Sequence, residues 1–370
     1  MAGYPVPGST PGTEFALNNP LAIQRWSTSL AVEAAKKQYF APFIGTSQDS
    51  LIVLKDELNK GAGDKVTIGL RMKLSKPGVE GDGILNGNTD GEEALTFFND
   101  ALFIDQLRKG TKSKGKMSEQ RVPYIMRKEG RDALSTWWAE EMDEEIIFYL
   151  SGARGAGLSY HQDDSWTGRA NNTITAPDAS HQLYGGVATA KNDVSSTSII
   201  SLTDVERLVA KAEMQDPMIQ PFSVNGQKKF VLLMHTLQAF QLRTSASDND
   251  WLSITKITST GQGDSARLYT NSLGEYADVI LHKHRNVVTF DDYGSMTNLP
   301  AARALFMGAQ AGLMAFGQNS GPNKYDWHEE TDDRGNALAI SSGAIFGIKK
   351  TKFNSMDFGI VALDTYMPLI

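Results

Sequence analysis

A long polar segment separates two strand-like runs in the first third of the chain. Residues 64–74 (DKVTIGLRMKL) alternate between apolar and polar positions, and residues 94–108 (ALTFFNDALFIDQLR) form the second run. The segment between them, residues 76–93 (KPGVEGDGILNGNTDGEE), is rich in Gly and acidic residues and has little apolar material to bury. This pattern predicts a long β-hairpin. A loop of this length inside a compact enzyme needs a reason, and reaching another molecule is one such reason.

Residues 129–152 (EGRDALSTWWAEEMDEEIIFYLSG) contain the clearest helix signal of the chain. Apolar side chains recur at helical spacing, and Gly152 ends the run. The stripe consists of Leu134, Trp137, Trp138, Met142, Ile146, Tyr149 and Leu150. The acidic residues of this segment lie largely on the flanks of the stripe; they are Glu140, Glu141, Glu144 and Glu145. A further helix is predicted to begin at Thr203, where Glu206 completes a capping box.

Strand-like runs dominate the sequence after this helix. They are KKFVLLMHT, ADVILHKHRNVVTF, ARALFMGAQAGLMAF, ALAISSGAIFGIKK and FGIVALDTYM. Helices and strands do not alternate regularly enough for a doubly wound sheet, and no period of 20–50 residues repeats. The pattern therefore predicts an α+β fold.

Composition excludes several classes of function. Cysteine is absent from the 370 residues, which rules out disulfide frameworks, thiolate zinc sites and cysteine nucleophiles. The net charge of -7 argues against a protein that grips nucleic acid by its phosphates, because such proteins carry a basic domain. No apolar run reaches the roughly 18 residues of a membrane-spanning helix, and the first thirty residues do not have the pattern of a signal peptide. We expect a soluble protein that stays in the cell that makes it.

The segment KYDWHEETDDRGN, residues 324–336, concentrates one His and several carboxylates. In a helix, His328 and Asp332 would align one turn apart with Glu329 as a general base, which gives a metal-dependent hydrolase as the alternative function. The second histidine of the zinc-protease pattern is missing, and no apolar stripe supports a helix. A calcium-like cation site stays open, but we favour a charged turn that contacts a neighbouring copy. Its contact candidates are His328, Glu329, Glu330, Asp332 and Asp333.

Lysines cluster directly after the predicted hairpin. The stretch GTKSKGKMS is similar to a phosphate-binding loop, but Met117 stands where magnesium needs a hydroxyl ligand. The cluster also lacks the interleaved aromatic residues of a nucleic-acid surface. The hairpin thus has an acidic loop at its end and a lysine-rich segment at its base. Opposite charges on one element favour contacts between copies of the chain, with a solvated face as the alternative. The contact candidates are Glu80, Asp82, Glu92, Glu93, Lys109, Lys112, Lys114 and Lys116.

Two further histidines lie close together in the strand-like run ADVILHKHRNVVTF. His282 and His284 share one face of the predicted strand, which is the beginning of a metal site. No carboxylate has an evident reason to join them, so we interpret them as a solvated or hydrogen-bonded pair. The sequence also lacks the G-x-S-x-G pattern of a nucleophile elbow. We therefore predict neither an enzyme nor a cofactor.

Five segments, taken in their order, resemble the N-four-like family of tailed-phage major capsid proteins. The longest is YDWHEETDDRGNALAISSGAIFGIKKTKFNSMDFGIVALDTYM, near the C-terminus. The others are GDKVTIGLRMKL, WWAEEMDEEIIFYLSG, GEYADVILHKHRNVV and ARALFMGAQAGL. The resemblance covers most of residues 20–370 and depends on the order and spacing of the segments, not on any single motif.

This resemblance implies the Hong Kong 97-type capsid fold, an α+β fold with a long spine helix. The implied segments are an N-terminal arm at residues 1–60, an extended loop at 61–118, a peripheral domain with the spine helix at 119–200, an axial domain at 201–340 and C-terminal strands at 341–370 that return to the peripheral domain.

The same resemblance implies a structural function. Copies of the chain are expected to assemble as hexamers and pentamers into an icosahedral head that encloses double-stranded DNA without sequence-specific binding. An acidic chain suits such a shell, because it does not adhere tightly to the packed DNA. Portal, scaffolding and decoration proteins are further implied partners. The implied location is the virion, after assembly in the cytoplasm of the bacterial host.

Overall fold

The computed structural model describes residues 20–57, 63–87, 90–156, 160–224, 226–245, 272–295, 298–317 and 324–368. Residues 1–19 and 58–60 of the predicted N-terminal arm lie outside these ranges. Among the described residues, no helix has both the length and the apolar character needed to cross a membrane.

Five α-helices form within the described ranges. They are α1 (Pro20–Lys37), α2 (Lys116–Gln120), α3 (Met126–Ser151), α4 (Leu202–Met214) and α5 (Thr236–Ser245). Helix α3 confirms the helix predicted from residue 129 and begins three residues earlier. It ends where Gly152 adopts a left-handed conformation (φ 70°) and donates its N–H to the carbonyl of Phe148.

Helix α4 begins one residue earlier than predicted. The Ser201 side chain caps the helix by accepting a hydrogen bond from the N–H of Asp204, and the Asp204 carboxylate accepts one from the N–H of Ser201. The predicted capping box of Thr203 and Glu206 is wrong, because the Glu206 carboxylate accepts a hydrogen bond from the Tyr276 hydroxyl.

The strands are numbered in chain order. They are β1 (Ile44–Gly45), β2 (Ile52–Lys55), β3 (Lys65–Arg71), β4 (Phe97–Phe103), β5 (Asp105–Lys112), β6 (Gly168–Arg169), β7 (Asn172–Thr173), β8 (Gln182–Tyr184), β9 (Phe222–Val224), β10 (Gln227–His235), β11 (Ser272–Tyr276), β12 (Val279–His284), β13 (Thr289–Tyr293), β14 (Leu299–Met307), β15 (Gly312–Phe316), β16 (Asp326–Asp332), β17 (Ala337–Lys350), β18 (Lys352–Phe353), β19 (Met356–Asp357) and β20 (Ile360–Tyr366). All five predicted strand-like runs after α4 contain strands.

Two larger sheets organise these strands. Sheet I has the order β1-β2-β15-β17-β16, and β5 also pairs with the long strand β17. Sheet II has the order β11-β12-β10-β14-β20-β8, with β13 beside β14 and β9 beside β10. Helices and strands are not in regular alternation, so the α+β prediction is confirmed.

Helix α3 packs between α1 and strand β17 of sheet I, where the largest cluster of buried side chains lies. Trp138 is fully buried there, and its ring contacts the rings of Tyr325 and Phe346. Its indole N–H donates to the Ser342 hydroxyl at 3.1 Å, so the buried polar atom is satisfied. A second cluster joins α4 and α5 to sheet II.

The predicted hairpin is confirmed as the antiparallel pair β3–β4. Its ladder runs from the pair Lys65 and Phe103 to the pair Arg71 and Phe97. At its base, Val66 and Leu102 pack with apolar side chains of β2 and β15 in sheet I. Beyond Arg71 the hairpin leaves this small cluster and becomes largely exposed.

The strand pairing links segments that the resemblance assigns to different parts of the chain. Strand β5, placed in the extended loop at 61–118, and strands β15 and β16, placed in the axial segment at 201–340, all belong to sheet I. Strand β20, placed among the returning strands at 341–370, pairs with β14 and β8 in sheet II. Main-chain hydrogen bonds between strands far apart in sequence determine which sheet each strand belongs to. The division into domains stays a prediction.

Candidate self-assembly surfaces

The loop of the hairpin is held by its own polar groups. Glu93 accepts hydrogen bonds from the backbone N–H groups of Ser75 at 2.8 Å and Lys76 at 3.1 Å, and these bonds lower the pKa of its carboxyl group. Glu92 accepts a bond from the N–H of Gly87 at 3.0 Å. Two of the predicted contact residues are therefore used within the loop, whereas Glu80 and Asp82 present exposed side chains.

Large apolar side chains are exposed on two segments, which we name the acidic tip (residues 78–87 and 90–93) and the basic segment (residues 114–125). On the acidic tip, Ile84 is 77% exposed and Leu85 is 56% exposed. On the basic segment the exposed apolar residues are Met117, Val122, Tyr124 and Ile125. The sequence analysis missed both groups, although the letters IL within a polar loop are a usable signal.

The predicted lysines divide into two groups. The ammonium group of Lys109 lies 5.2 Å from the ring centroid of Trp137, and Lys112 forms an ion pair with Asp332. Both are therefore committed within the chain. The side chains of Lys114 and Lys116 are exposed on the basic segment. The structure thus brings a lysine of this set to the cluster at 328–333 and not to the acidic residues of the hairpin.

The acidic stretch that contains His328 is the strand β16 and the turn after it. The predicted turn is wrong for residues 326–332, which pair with β17 along their whole length. The turn itself uses Asp333, Arg334 and Gly335, all with positive φ. From Asp326 to Glu330, side chains alternate between exposed and buried positions, because successive residues of a strand point to opposite faces.

This alternation places His328 and Glu329, two of the three residues of the hydrolase alternative, on opposite faces of the strand. His328 is exposed, whereas Glu329 is on the buried face, where it pairs with Arg127 of α3 at 2.7 Å and accepts a bond from the Trp327 indole N–H at 2.9 Å. Asp332 is paired with Lys112. The three side chains do not converge on one point, so the hydrolase alternative is wrong.

A row of buried carboxylates lies along α3, where the sequence analysis placed glutamates on the flanks of the apolar stripe. Glu141, Glu144 and Glu145 are almost fully buried beneath the loop that carries His161 and Arg169. Arg169 pairs with Glu141 and Glu145, and the N–H of His161 donates to Glu144 at 2.9 Å. Burial raises the pKa of Glu145 to about 8, although the Arg169 guanidinium opposes the shift.

Three of these groups could hold a cation. Glu141, Glu144 and His161 each offer one ligand atom, and these atoms lie within 4.8 Å of one another. The same atoms already serve the network, because one Glu141 oxygen faces the His161 ring nitrogen at 3.2 Å and the other accepts bonds from Gln162 and Arg169. Their arrangement ties the loop at 160–169 to α3.

Tyr39 joins helix α3 to sheet II. Its N–H donates to the Asp143 carboxylate at 2.7 Å, and its hydroxyl lies 2.8 Å from Nδ1 of His282 in β12. Burial raises the pKa of Asp143 to about 7 and lowers the pKa values of His282 and His284 to about 4. A cavity of about 790 Å³ lies at this junction. His282 therefore takes part in a hydrogen bond within the protein, and both His282 and His284 are neutral at pH 7.

A buried ion pair forms a second link between helix α3 and sheet II. Arg303 of β14 donates two hydrogen bonds to Asp364 of β20, at 2.7 and 2.8 Å, and one to the carbonyl of Ser151 at the end of α3, at 2.9 Å. Both charged side chains are buried. The pair therefore fixes the C-terminal end of α3 against sheet II.

Taken together, the long helix on sheet I, the separate sheet II and the projecting hairpin are the features that the resemblance to phage shell subunits of the Hong Kong 97-type fold implies. Residues 14–369 match the family model described as "Phage capsid protein". The chain belongs to this family.

Individual relatives agree with the family match. The major capsid protein of Pseudomonas phage KPP25 is 26% identical over 96% of this chain and 98% of its own length. The capsid of Ralstonia phage GP4 is 40% identical, with a TM-score of 0.83 over 97% of this chain and 99% of that one. The subunit of the cyanophage Pam1 capsid has the same fold, with a TM-score of 0.70 over 99% of each chain at 19% identity. The prediction of a phage capsid protein is therefore confirmed.

Proposed function

We propose that this chain is the major capsid protein of a tailed phage and that it assembles as hexamers and pentamers into an icosahedral head. The observation that supports assembly best is the hairpin β3–β4. Its base packs on sheet I through Val66 and Leu102, whereas Phe97, at the outer end of the ladder, is 63% exposed. A protruding element of this kind gains a core only by packing against another copy.

The contents and partners of the shell are part of the same proposal. A net charge of -7 favours a container that does not adhere to the phosphates of packaged double-stranded DNA. Portal, scaffolding and decoration proteins are its further partners, and the virion, assembled in the cytoplasm of the host, is its location. The order of sequence segments supports placement in the N-four-like group of the family.

The first test is the size of the purified chain. Size-exclusion chromatography and negative-stain microscopy should show capsomers or particles in the megadalton range. A chain that stays a small monomer or dimer under all assembly conditions would contradict the proposal.

A shortened hairpin makes this test specific. The N–H of Met72 donates to the carbonyl of Thr96 at 3.0 Å, so the two strands are still close at this point. We propose to replace residues 73–95 with Asn-Gly, a pair that favours a two-residue hairpin turn. The shortened chain should remain folded by circular dichroism and should fail to form particles. Normal particles from this variant would show that the hairpin is not needed for assembly.

A further inference from the structure

The cavity at the junction of α1, α3 and strand β12 surrounds the contact between Tyr39 and His282. Its volume of about 790 Å³ is within the range of small-molecule sites in proteins, which is about 300–1,000 Å³. The cavity is partly open to solvent, which leaves a path of entry for a ligand. It lies within one copy of the chain and away from the hairpin on which the proposed assembly depends.

One wall of the cavity is aromatic. The ring centroid of Tyr39 lies 4.8 Å from that of His284 and 6.0 Å from that of Phe43, and the Phe43 ring lies 5.4 Å from the His282 ring. All four side chains line the cavity, and the small side chain of Ala35 on α1 leaves room beside them. Such a wall accepts a flat ring, because aromatic rings pack in offset or edge-to-face contacts.

Basic side chains at the cavity carry charge that no carboxylate neutralises. Lys36 and Arg285 both line the cavity with exposed side chains, and neither forms an ion pair within the described ranges. A third base, Lys37, is engaged, because its ammonium group donates to the hydroxyls of Ser135 at 2.8 Å and Thr136 at 2.9 Å. Two cations are therefore available to a ligand.

The two acidic side chains of the lining are engaged elsewhere. The Asp143 carboxylate accepts the N–H of Tyr39 at 2.7 Å and that of Phe40 at 3.1 Å. The Glu140 carboxylate lies 3.7 Å from Nε2 of His161. The charge that remains at the cavity is therefore positive, on a chain whose net charge is -7. This sign favours an anion.

A buried amide of the lining also points to a ligand. Gln38 is only 6% exposed, and its Nε2 donor has no hydrogen-bond partner in the part of the chain that the structure describes. Buried polar groups are nearly always hydrogen-bonded, because leaving one unpaired costs free energy. An acceptor atom of a bound molecule would satisfy this donor.

We propose that the cavity binds a small aromatic anion, a ring system that carries a carboxylate, sulfonate or phosphate group. The ring packs against Tyr39 and Phe43, the charged group lies near Lys36 and Arg285, and an acceptor atom of the ligand takes the hydrogen bond of Gln38. Because the walls come from α1, α3 and sheet II, such a ligand holds these parts together. The site is complete in one copy and does not depend on the proposed function.

The probe for this site is 2-naphthoate, and its binding to the purified full chain is measured by isothermal titration calorimetry. Saturable binding at one site per chain is expected. The double variant Lys36→Met with Arg285→Met should weaken it at least about tenfold, because hydrogen bonds to charged groups are the strong ones. The same variant should bind the uncharged 2-naphthamide as well as the natural chain does.

The matched control for the loss of charge is Lys283→Met. Lys283 stands between His282 and His284 in β12, but its exposed side chain is on the opposite face of the strand and does not line the cavity. This variant should bind 2-naphthoate with the affinity of the natural chain.

A variant that fills the cavity locates the site. Ala35→Trp should abolish the binding of both compounds while circular dichroism shows a folded chain. If this variant does not fold, Ala41→Trp replaces it, because Ala41 also lines the cavity. Saturating 2-naphthoate should raise the urea midpoint of the natural chain and not that of the filled variant, since a ligand that binds the folded state stabilises it.

Two results would overturn the proposal. One is the absence of saturable 2-naphthoate binding to the natural chain. The other is binding that the charge variant and the filled variant leave unchanged, which would mean adsorption elsewhere on the surface. A chain that binds 2-naphthoate as expected but forms no capsomers or particles would support the site and contradict the proposed function alone.

Discussion

Helix α3 and the hairpin β3–β4 depart from the usual distribution of side chains in opposite directions. The helix buries three glutamates and an aspartate, whereas the hairpin exposes Phe97, Ile84 and Leu85 to solvent. Buried charges and exposed apolar groups are the informative exceptions on a protein surface, because ordinary folding avoids both.

The difference shows where each element finds its partners. The carboxylates of α3 are paired with groups of the same chain, such as Arg169 and the N–H groups of Tyr39 and His161. The exposed side chains of the hairpin have no comparable cover from the described residues. Helix α3 therefore serves the stability of one subunit, and the hairpin serves the association of subunits. The predictions below test this separation through the free energy of unfolding of the unassembled chain.

The largest change is expected at Arg303. Replacing it with Met leaves Asp364 buried without its ionic partner, and breaking such a pair costs about 3–5 kcal/mol. Urea denaturation should show this loss. The double variant Arg303→Met with Asp364→Leu removes both charges and should recover most of the stability. An equally large loss in the double variant would show that packing around these residues, and not the unpaired charge, determines the effect.

The next largest effect is a pH dependence of the free energy of unfolding, which Asp143 creates. Burial raises the pKa of this carboxyl group from 3.8 to about 7, so the folded chain retains a proton that the unfolded chain loses near pH 4. The stabilisation is complete below pH 3.8 and is lost as the pH rises towards 7, by at most about 1.4 kcal/mol per pH unit. Asp143→Asn should remove this part of the slope in urea denaturation between pH 4 and 7, whereas the part that Glu145 contributes through its raised pKa should remain. Glu129→Gln, an exposed change on the same helix, should leave the slope unaltered.

Local pattern was enough to predict the main elements but not their partners. Helix α3 was predicted because Leu134, Trp138 and Met142 recur at helical spacing, and β17 and β20 were predicted from short apolar runs. The burial of Glu141, Glu144 and Glu145 was not predicted, since the covering loop at 160–169 is distant in sequence and has no periodic signal.

Strand pairing over long sequence separations is also beyond what a local pattern can predict. Strand β5 continues directly from the hairpin in sequence, yet it pairs with β17, more than 200 residues away. The same strand β17 pairs with β16 on its other side, which converts the predicted charged turn at 326–332 into a strand. The exposed apolar side chains of the hairpin loop and of the segment at 114–125 were missed for a related reason, because exposure is a property of the folded chain.

A smaller change in stability is expected at Phe97. This residue tests most directly whether the hairpin serves association and not the stability of one subunit. Its ring is 63% exposed, so Phe97→Ser should alter the free energy of unfolding by no more than about 0.5 kcal/mol. The yield of particles should nevertheless fall, because the ring is expected to be buried by another copy. Leu102→Ala in the same strand is the matched control. Leu102 is fully buried, so its truncation should cost about 2–5 kcal/mol before any assembly occurs.

The smallest change is expected at His328, which lies between two buried neighbours on strand β16. Its side chain is exposed, so His328→Ala should change the free energy of unfolding by less than about 0.5 kcal/mol, and a chelator should not alter that result. Trp327→Ala should cost about 3–5 kcal/mol, because that ring is buried and its indole N–H is bonded to Glu329. A chelator-sensitive loss at His328 would mean that this stretch binds a metal after all. If His328→Ala instead leaves the unassembled chain unchanged but reduces the yield of particles, the exposed face of β16 joins the hairpin as a surface for other copies.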